Sequence, residues 1–180
     1  MNTDTRQIGV VLRRSPVDHP WQDHVWAPEA VLALAPEAEA GTSLGQDGAA
    51  QLVYGGAVTL DLYSSDTAFY RENLLTGEPK IWIALKRDED SGDMSVMLAT
   101  ADPNEGEISF ESGADIVATV PMPYEIAGWI AGFCDAFHVE RPFIKRQRDK
   151  SGPDPRKNPG ARQAMDKPAG AGGRSDGDQP

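Results

Sequence analysis

The chain changes character at residue 140, and that break limits how much of it can fold. Residues 140–180 carry ten Lys/Arg against six Asp/Glu and are rich in Pro and Gly, whereas the stretch before them holds seven Lys/Arg against twenty-two Asp/Glu. The whole-chain net charge of −11 therefore conceals an acidic body of −15 joined to a tail of +4. Beyond Lys150 almost no apolar side chain is left to bury, so 151–180 reads as a disordered tail. What remains is one globular domain of ordinary size over 8–150, ending in a basic junction and preceded by a polar, flexible N-terminus at 1–7. Such an asymmetry suggests a tail that touches a partner or folds back on the acidic body.

Within the domain, short β-rich runs alternate with turn signals. Ile8–Arg14 is a strand stopped by Ser15 and Pro16, followed by a loop over Pro16–Asp23. Val25–Leu34 is a second extended run whose early Pro28 suits a sheet edge or a bulge. Pro36–Gly48 reads as a loop or a short exposed helix, and Gly55-Gly56 between two β-rich runs reads as a hairpin turn. Thr67–Leu75, closed by Gly77 with Pro79 beyond, has the punctuation of a helix. Lys80–Arg87 and Met94–Ala101 form a second hairpin around the acidic turn Asp88–Asp93. Asp102–Gly113 suits either a short helix or a strand, and Ala114–Val120 is strand-like. Tyr124–Val139 places Ile126, Trp129, Ile130, Phe133 and Phe137 at helical spacing. The fold expected is α+β: a mostly antiparallel sheet or partial barrel of six to seven short strands, one short middle helix and a C-terminal amphipathic helix. A pleckstrin-homology-like barrel fits that count.

Composition excludes several function classes. Cys134 is the one cysteine, so no intramolecular disulfide forms, and nothing requires an oxidising compartment. The polar N-terminus resembles neither a signal peptide nor a membrane span, which leads to the expectation of a cytoplasmic chain without membrane association. A pI near 4.6 argues against broad nucleic-acid binding by the body. Neither a Gly-x-x-x-x-Gly-Lys-Ser/Thr loop nor a Gly-x-Gly-x-x-Gly is present, and no cofactor is expected.

Chemistry-bearing residues concentrate in Asp18–Trp26, with two His, two Asp and two Trp in nine positions. His19 and His24, five apart in a Pro-containing loop, match neither a helical His pair nor a zinc-finger spacing, so metal binding is not expected. Trp21 and Trp26 anchor such a loop on a core or, as interface residues do, form part of a partner-binding surface together with His24. Cys134 lies between Phe133 and Phe137 with His138 four residues on, an arrangement that suits a packed thiol better than a nucleophile and its base. The basic junction Arg141, Phe143, Lys145, Arg146 and Arg148 combines an apolar anchor with repeated cations. It serves either as a solubilising helix end or as a dock for an acidic protein partner, nucleic acid or anionic lipid.

Three segments resemble a small uncharacterised proteobacterial family over about residues 6–150. They are Pro20-Trp21-Gln22-Asp23-His24-Val25-Trp26-Ala27-Pro28, Thr67–Leu74 with Gly77 and Pro79, and His138-Val139-Glu140-Arg141-Pro142-Phe143 with Lys145-Arg146. Members of that family often lie beside genes for molybdenum-dependent formate dehydrogenase. Some bear the label molybdopterin-guanine dinucleotide biosynthesis protein A, an enzyme that moves a guanylyl group onto the molybdenum cofactor. The resemblance implies a non-catalytic accessory protein that binds a formate dehydrogenase apoenzyme or assembly factor, and it carries over no catalytic residues. Guanylyl transfer is the alternative, and a small-ligand or metal carrier a third class. Such transferases are recognised by a Leu-Ala-Gly-Gly-type loop with Arg and Lys following. Here Val11-Leu12-Arg13-Arg14-Ser15-Pro16 has the cations without the glycines that let a backbone wrap a phosphate.

Overall fold

The computed structural model describes residues 1–139. Strand β1 (Thr3–His19) turns tightly into β2 (Gln22–Leu32); β3 (Ser43–Asp47) turns into β4 (Ala50–Tyr63); helix α1 (Thr67–Leu75) follows. Next come β5 (Lys80–Arg87), β6 (Met94–Thr100), helix α2 (Pro103–Ile108), β7 (Ile116–Pro121) and helix α3 (Tyr124–Phe137). One sheet has the order β2-β1-β4-β3 and the other β6-β5-β7, with antiparallel pairing throughout. The class is α+β, as expected. The sheets stay separate and do not close into a barrel; they approach each other closely where β4 runs near β6 and β2 near β7. There are two middle helices where the sequence suggested one, because Pro103, capped by the Asp102 side chain, starts a short helix in the ambiguous stretch.

The core fills the space between the sheets and under α3. Ile8, Val10 and Leu12 of β1 meet Leu60 and Leu62 of β4, Ile81, Ile83 and Leu85 of β5, and Ile126, Ile130 and Phe133 of α3. β1 is buried on both faces over Ile8–Leu12, since its other side at Gly9 is covered by Pro36 and Tyr54; a Cβ at Gly9 would lie 3.0 Å from Pro36 Cδ. Helix α1 is tied down by the buried Asn73. Its amide donates to the carbonyls of Lys80 (2.8 Å) and Ala101 (3.0 Å), and its oxygen accepts from the Lys80 N–H (2.9 Å). Helix α2 docks closely on β5 because Gly106 lies against Trp82, whose ring leaves no room for a side chain there.

Four expectations are corrected. Gly55-Gly56 is not a turn: β4 runs straight through it. Val10 pairs with Gly56 and Val11 with Tyr54, so Gly55 is the extra residue of a bulge. A Cβ on Gly55 would stand 2.9 Å from Leu12 Cγ, and Gly56 has φ +104°. The real hairpin turn is Gly48-Ala49, joining β3 to β4, and β3 occupies part of the stretch read as loop or helix. β1 does not stop at Pro16. Its pairing with β4 ends at Arg14, so beyond that point Pro16 has a free flank on which its missing N–H costs no ladder bond. Finally, Thr3–Gln7 are not a loose N-terminus: they pair with Tyr63–Thr59 of β4. Asp4 Oδ2 accepts the Trp129 indole N–H at 2.7 Å, and the Arg6 guanidinium lies 4.6 Å from the Trp129 ring centroid. Pro28 fulfils its expectation, since β2 is an edge strand and Glu29 is the extra residue of a bulge opposite Leu12.

Candidate functional site

Two hairpin tips from different sheets meet at one end of the domain. The β1–β2 tip is the turn Pro20-Trp21, closed by the His19–Gln22 pair, with the Trp21 N–H donating to His19 Nδ1 at 3.3 Å. The β5–β6 tip is organised by Asp88, whose Oδ1 accepts from the N–H groups of Asp90 (3.0 Å) and Ser91 (2.7 Å). The Ser91 amide is the main reason the Asp88 carboxyl is held below the usual carboxylate range. Between the tips lies a cleft of about 230 Å³, lined by Arg14, Trp21, His24, Trp26, Arg87 and the carboxylates Asp23 and Asp93.

The two tryptophans, alike in sequence, separate here. Trp26 is 7% exposed and belongs to the core, whereas Trp21 stands 87% exposed on the turn. Arg14 faces Trp26 directly across the β1–β2 ladder, and its guanidinium lies 5.4 Å from that ring centroid. One Arg14 nitrogen is 3.3 Å from His24 Nδ1. A guanidinium can only donate, so Nδ1 accepts and the neutral His24 ring carries its proton on Nε2. Arg14 Nε is buried and has no hydrogen-bond partner among the described residues. Arg87 reaches the same cleft from β5 and donates to the Gly92 carbonyl at 3.1 Å.

Arg13 has a different fate, because alternation along β1 sends it to the opposite face. It bonds Glu29 of β2 at 2.7 Å and Asp47 at the end of β3. Those carboxylates raise its already high pKa, and in return the Arg13 hydrogen bond holds Glu29 below its ordinary range. Arg13 and Arg14, which sequence reading grouped as one pair of cations, thus do separate work. Arg14 and Arg87 were not singled out, since nothing local in either hairpin announces that the two tips converge.

The Cys134–His138 pair does not form a nucleophile and its base. The thiol is buried, which pushes its pKa up, and it points to the Thr67 carbonyl at 3.7 Å, while His138 Nδ1 lies 3.1 Å from the Thr67 hydroxyl. Both side chains serve to fasten α3 to the start of α1. Among the described residues no three His, Cys, Asp or Glu side chains come together as a metal-ligand set. A second, more apolar groove of about 440 Å³ runs along α2 beside Met97 and Ile108. No helix among the described residues is long and apolar enough to cross a membrane.

A family model described as "Protein of unknown function (DUF3305)" matches residues 7–147. The chain belongs to the DUF3305 family. The DUF3305 match takes in the Trp21–Trp26 hairpin, all three helices and Arg141, Phe143, Lys145 and Arg146, stopping one residue short of Arg148. These five junction residues, like the tail 151–180, lie outside the described residues. No curated protein and no solved structure matches the chain.

Proposed function

We propose that this DUF3305 protein is a non-catalytic accessory module that binds a protein partner, with the β1–β2 tip as its contact. The observation that carries this reading is Trp21: a large indole left 87% exposed on a two-residue turn, beside a cleft lined by two arginines. Exposed Trp next to Arg is the composition of interface hot spots. His24 and Trp26 support the tip from behind, and the junction residues Arg141, Phe143, Lys145, Arg146 and Arg148 form a second proposed contact. The resemblance makes a formate dehydrogenase apoenzyme, or a factor that assembles it, the first partner to test.

Guanylyl transfer has less support. β1 turns back into β2 as a hairpin and so offers no strand-to-helix junction at which a nucleotide phosphate would sit.

The test is co-expression of the tagged chain with formate dehydrogenase subunits, followed by purification in low and high salt. Wild type should bring down one subunit in stoichiometric amount, and Trp21→Ala should lose at least tenfold of it while its circular dichroism is unchanged. Retention of the subunit by Trp21→Ala at wild-type level, or no capture by wild type, would remove the proposal.

A further inference from the structure

We infer that the cleft between the hairpin tips is a receptor for a single carboxylate, presented on a short arm beside an apolar group. Its occupant is an acidic side chain or chain end of the partner, so the inference rests on the reading above and gives it a chemical address.

The first reason is the burial of one cation. Up to residue 139 the chain has seven Lys/Arg side chains against twenty-two carboxylates, and among the described residues Arg13 is the one cation of the seven that forms ion pairs. Arg13 takes two, yet neither Arg14 nor Arg87 forms an ion pair among the described residues. Arg14 is also partly desolvated: Trp26 covers its face, its Nε is buried without a partner, and its one side-chain bond is to a neutral imidazole. A buried donor left unmade is costly, and a charged one more so. Arg14 lines the cleft, so an anion entering there would give this partly desolvated guanidinium a counter-ion.

The second reason is the kind of anion the lining admits. Asp23 and Asp93 offset the charges of Arg14 and Arg87, so the lining of the cleft is close to neutral in sum. A monoanion gains from the guanidinium fork, which matches a planar carboxylate in two-point fashion. A phosphate dianion would meet the two aspartates with twice the charge. Size points the same way. At about 230 Å³ the cleft is smaller than the sites of roughly 300–1,000 Å³ that hold whole small molecules, and it suits one functional group and its arm. Trp21, at the rim, offers its open ring to whatever apolar group adjoins that carboxylate.

The experiment follows the side-chain N–H signals of Arg14, Arg87 and Trp21 in the ¹⁵N-labelled full chain. Four probes are titrated: the peptide acetyl-Ala-Phe-Asp-Ala-amide, its Asn counterpart, phenylacetate and inorganic phosphate. The Asp peptide should give saturable shifts at all three groups, with the Asn peptide and phosphate at least tenfold weaker. Arg14→Gln should weaken the Asp peptide tenfold or more. Arg87→Gln, on an exposed hairpin end where folding is not at stake, should do so by a smaller factor. Equal binding of the Asp and Asn peptides, stronger binding of phosphate, or indifference to both substitutions would each overturn the inference. If phenylacetate saturates the site while the Asp peptide stays silent, the carboxylate site stands but its occupant is a free acid, and the partner-presented assignment falls. If the Asp peptide binds as described while no formate dehydrogenase subunit is captured, the site again stands and the formate dehydrogenase proposal fails.

Discussion

β1 carries two arginines, Arg6 and Arg14, each lying over a tryptophan of another element, and the two pairs are finished differently. Near its start Arg6 covers the Trp129 ring and Asp4 accepts the indole N–H, so cation and carboxylate both hold the same side chain. Near its far end Arg14 covers Trp26, with no carboxylate bound and one guanidinium nitrogen unsatisfied. The first cluster joins two distant parts of the fold. The second has no such carboxylate among the described residues, and a carboxylate for Arg14 is what the proposed partner supplies. The difference teaches that an aromatic–cation pair is structural or receptive according to its third member.

The comparison can be broken most forcefully at the tryptophans. Trp26→Ala should cost about 3 kcal/mol by urea unfolding, as deletion of a buried large aromatic does. Trp21→Ala should stay within about 0.5 kcal/mol, as exposed surface substitutions do. Equal costs would mean that Trp21 packs in solution and is not an open contact. A middle-sized effect is expected at the closed cluster. Asp4→Ala leaves the Trp129 indole N–H without its acceptor and should lose about 1 kcal/mol, while an unchanged denaturation midpoint would show that the N-terminal residues do not clamp α3.

The smallest effect is electrostatic. The Arg13 hydrogen bond depresses the Glu29 pKa, and backbone amides depress that of Asp88. Carboxyls depressed in the fold contribute stability that is fully present above the unfolded-state value of about 4 and is lost as pH falls through the lower folded values. The urea midpoint should therefore be flat near neutrality and decline only in acid, with Glu29→Gln lowering the neutral midpoint slightly and flattening that decline. A midpoint that rises on acidification would contradict the assignment.

Where signals are local, the sequence was a good guide. Thr67–Leu75 and Lys80–Arg87 have the expected bounds because Gly77 and Pro79 punctuate the junction between them. The Tyr124 start of α3 is equally plain from Pro123 and its apolar spacing. Glycine pairs are ambiguous by nature. Gly55-Gly56 offers the backbone freedom that either a turn or a bulge needs, and the choice is settled by the Leu12 side chain above Gly55. The Asp47-Gly48 dipeptide was the better hairpin signal. Trp21 and Trp26 were both singled out, yet their different burial depends on the turn falling at Pro20-Trp21. The cleft itself was not legible. It unites residues of β1 and β2 with a hairpin some 60 to 80 positions later, and only the apposition of the two sheets brings them together.

The bond between Asp4 and Trp129 spans 125 positions. A growing polypeptide cannot make it until α3 has been synthesised, and β1 cannot pair along its first half until β4 has followed. Long-range antiparallel pairing of this kind is slow to form, since loop closure must precede the contacts that reward it. Until then β1 holds Ile8, Val10 and Leu12 without the sheet that will cover them, a state prone to association with other chains. The order of elements thus sets a time as well as a shape: this domain becomes safe from aggregation only when almost all of it exists.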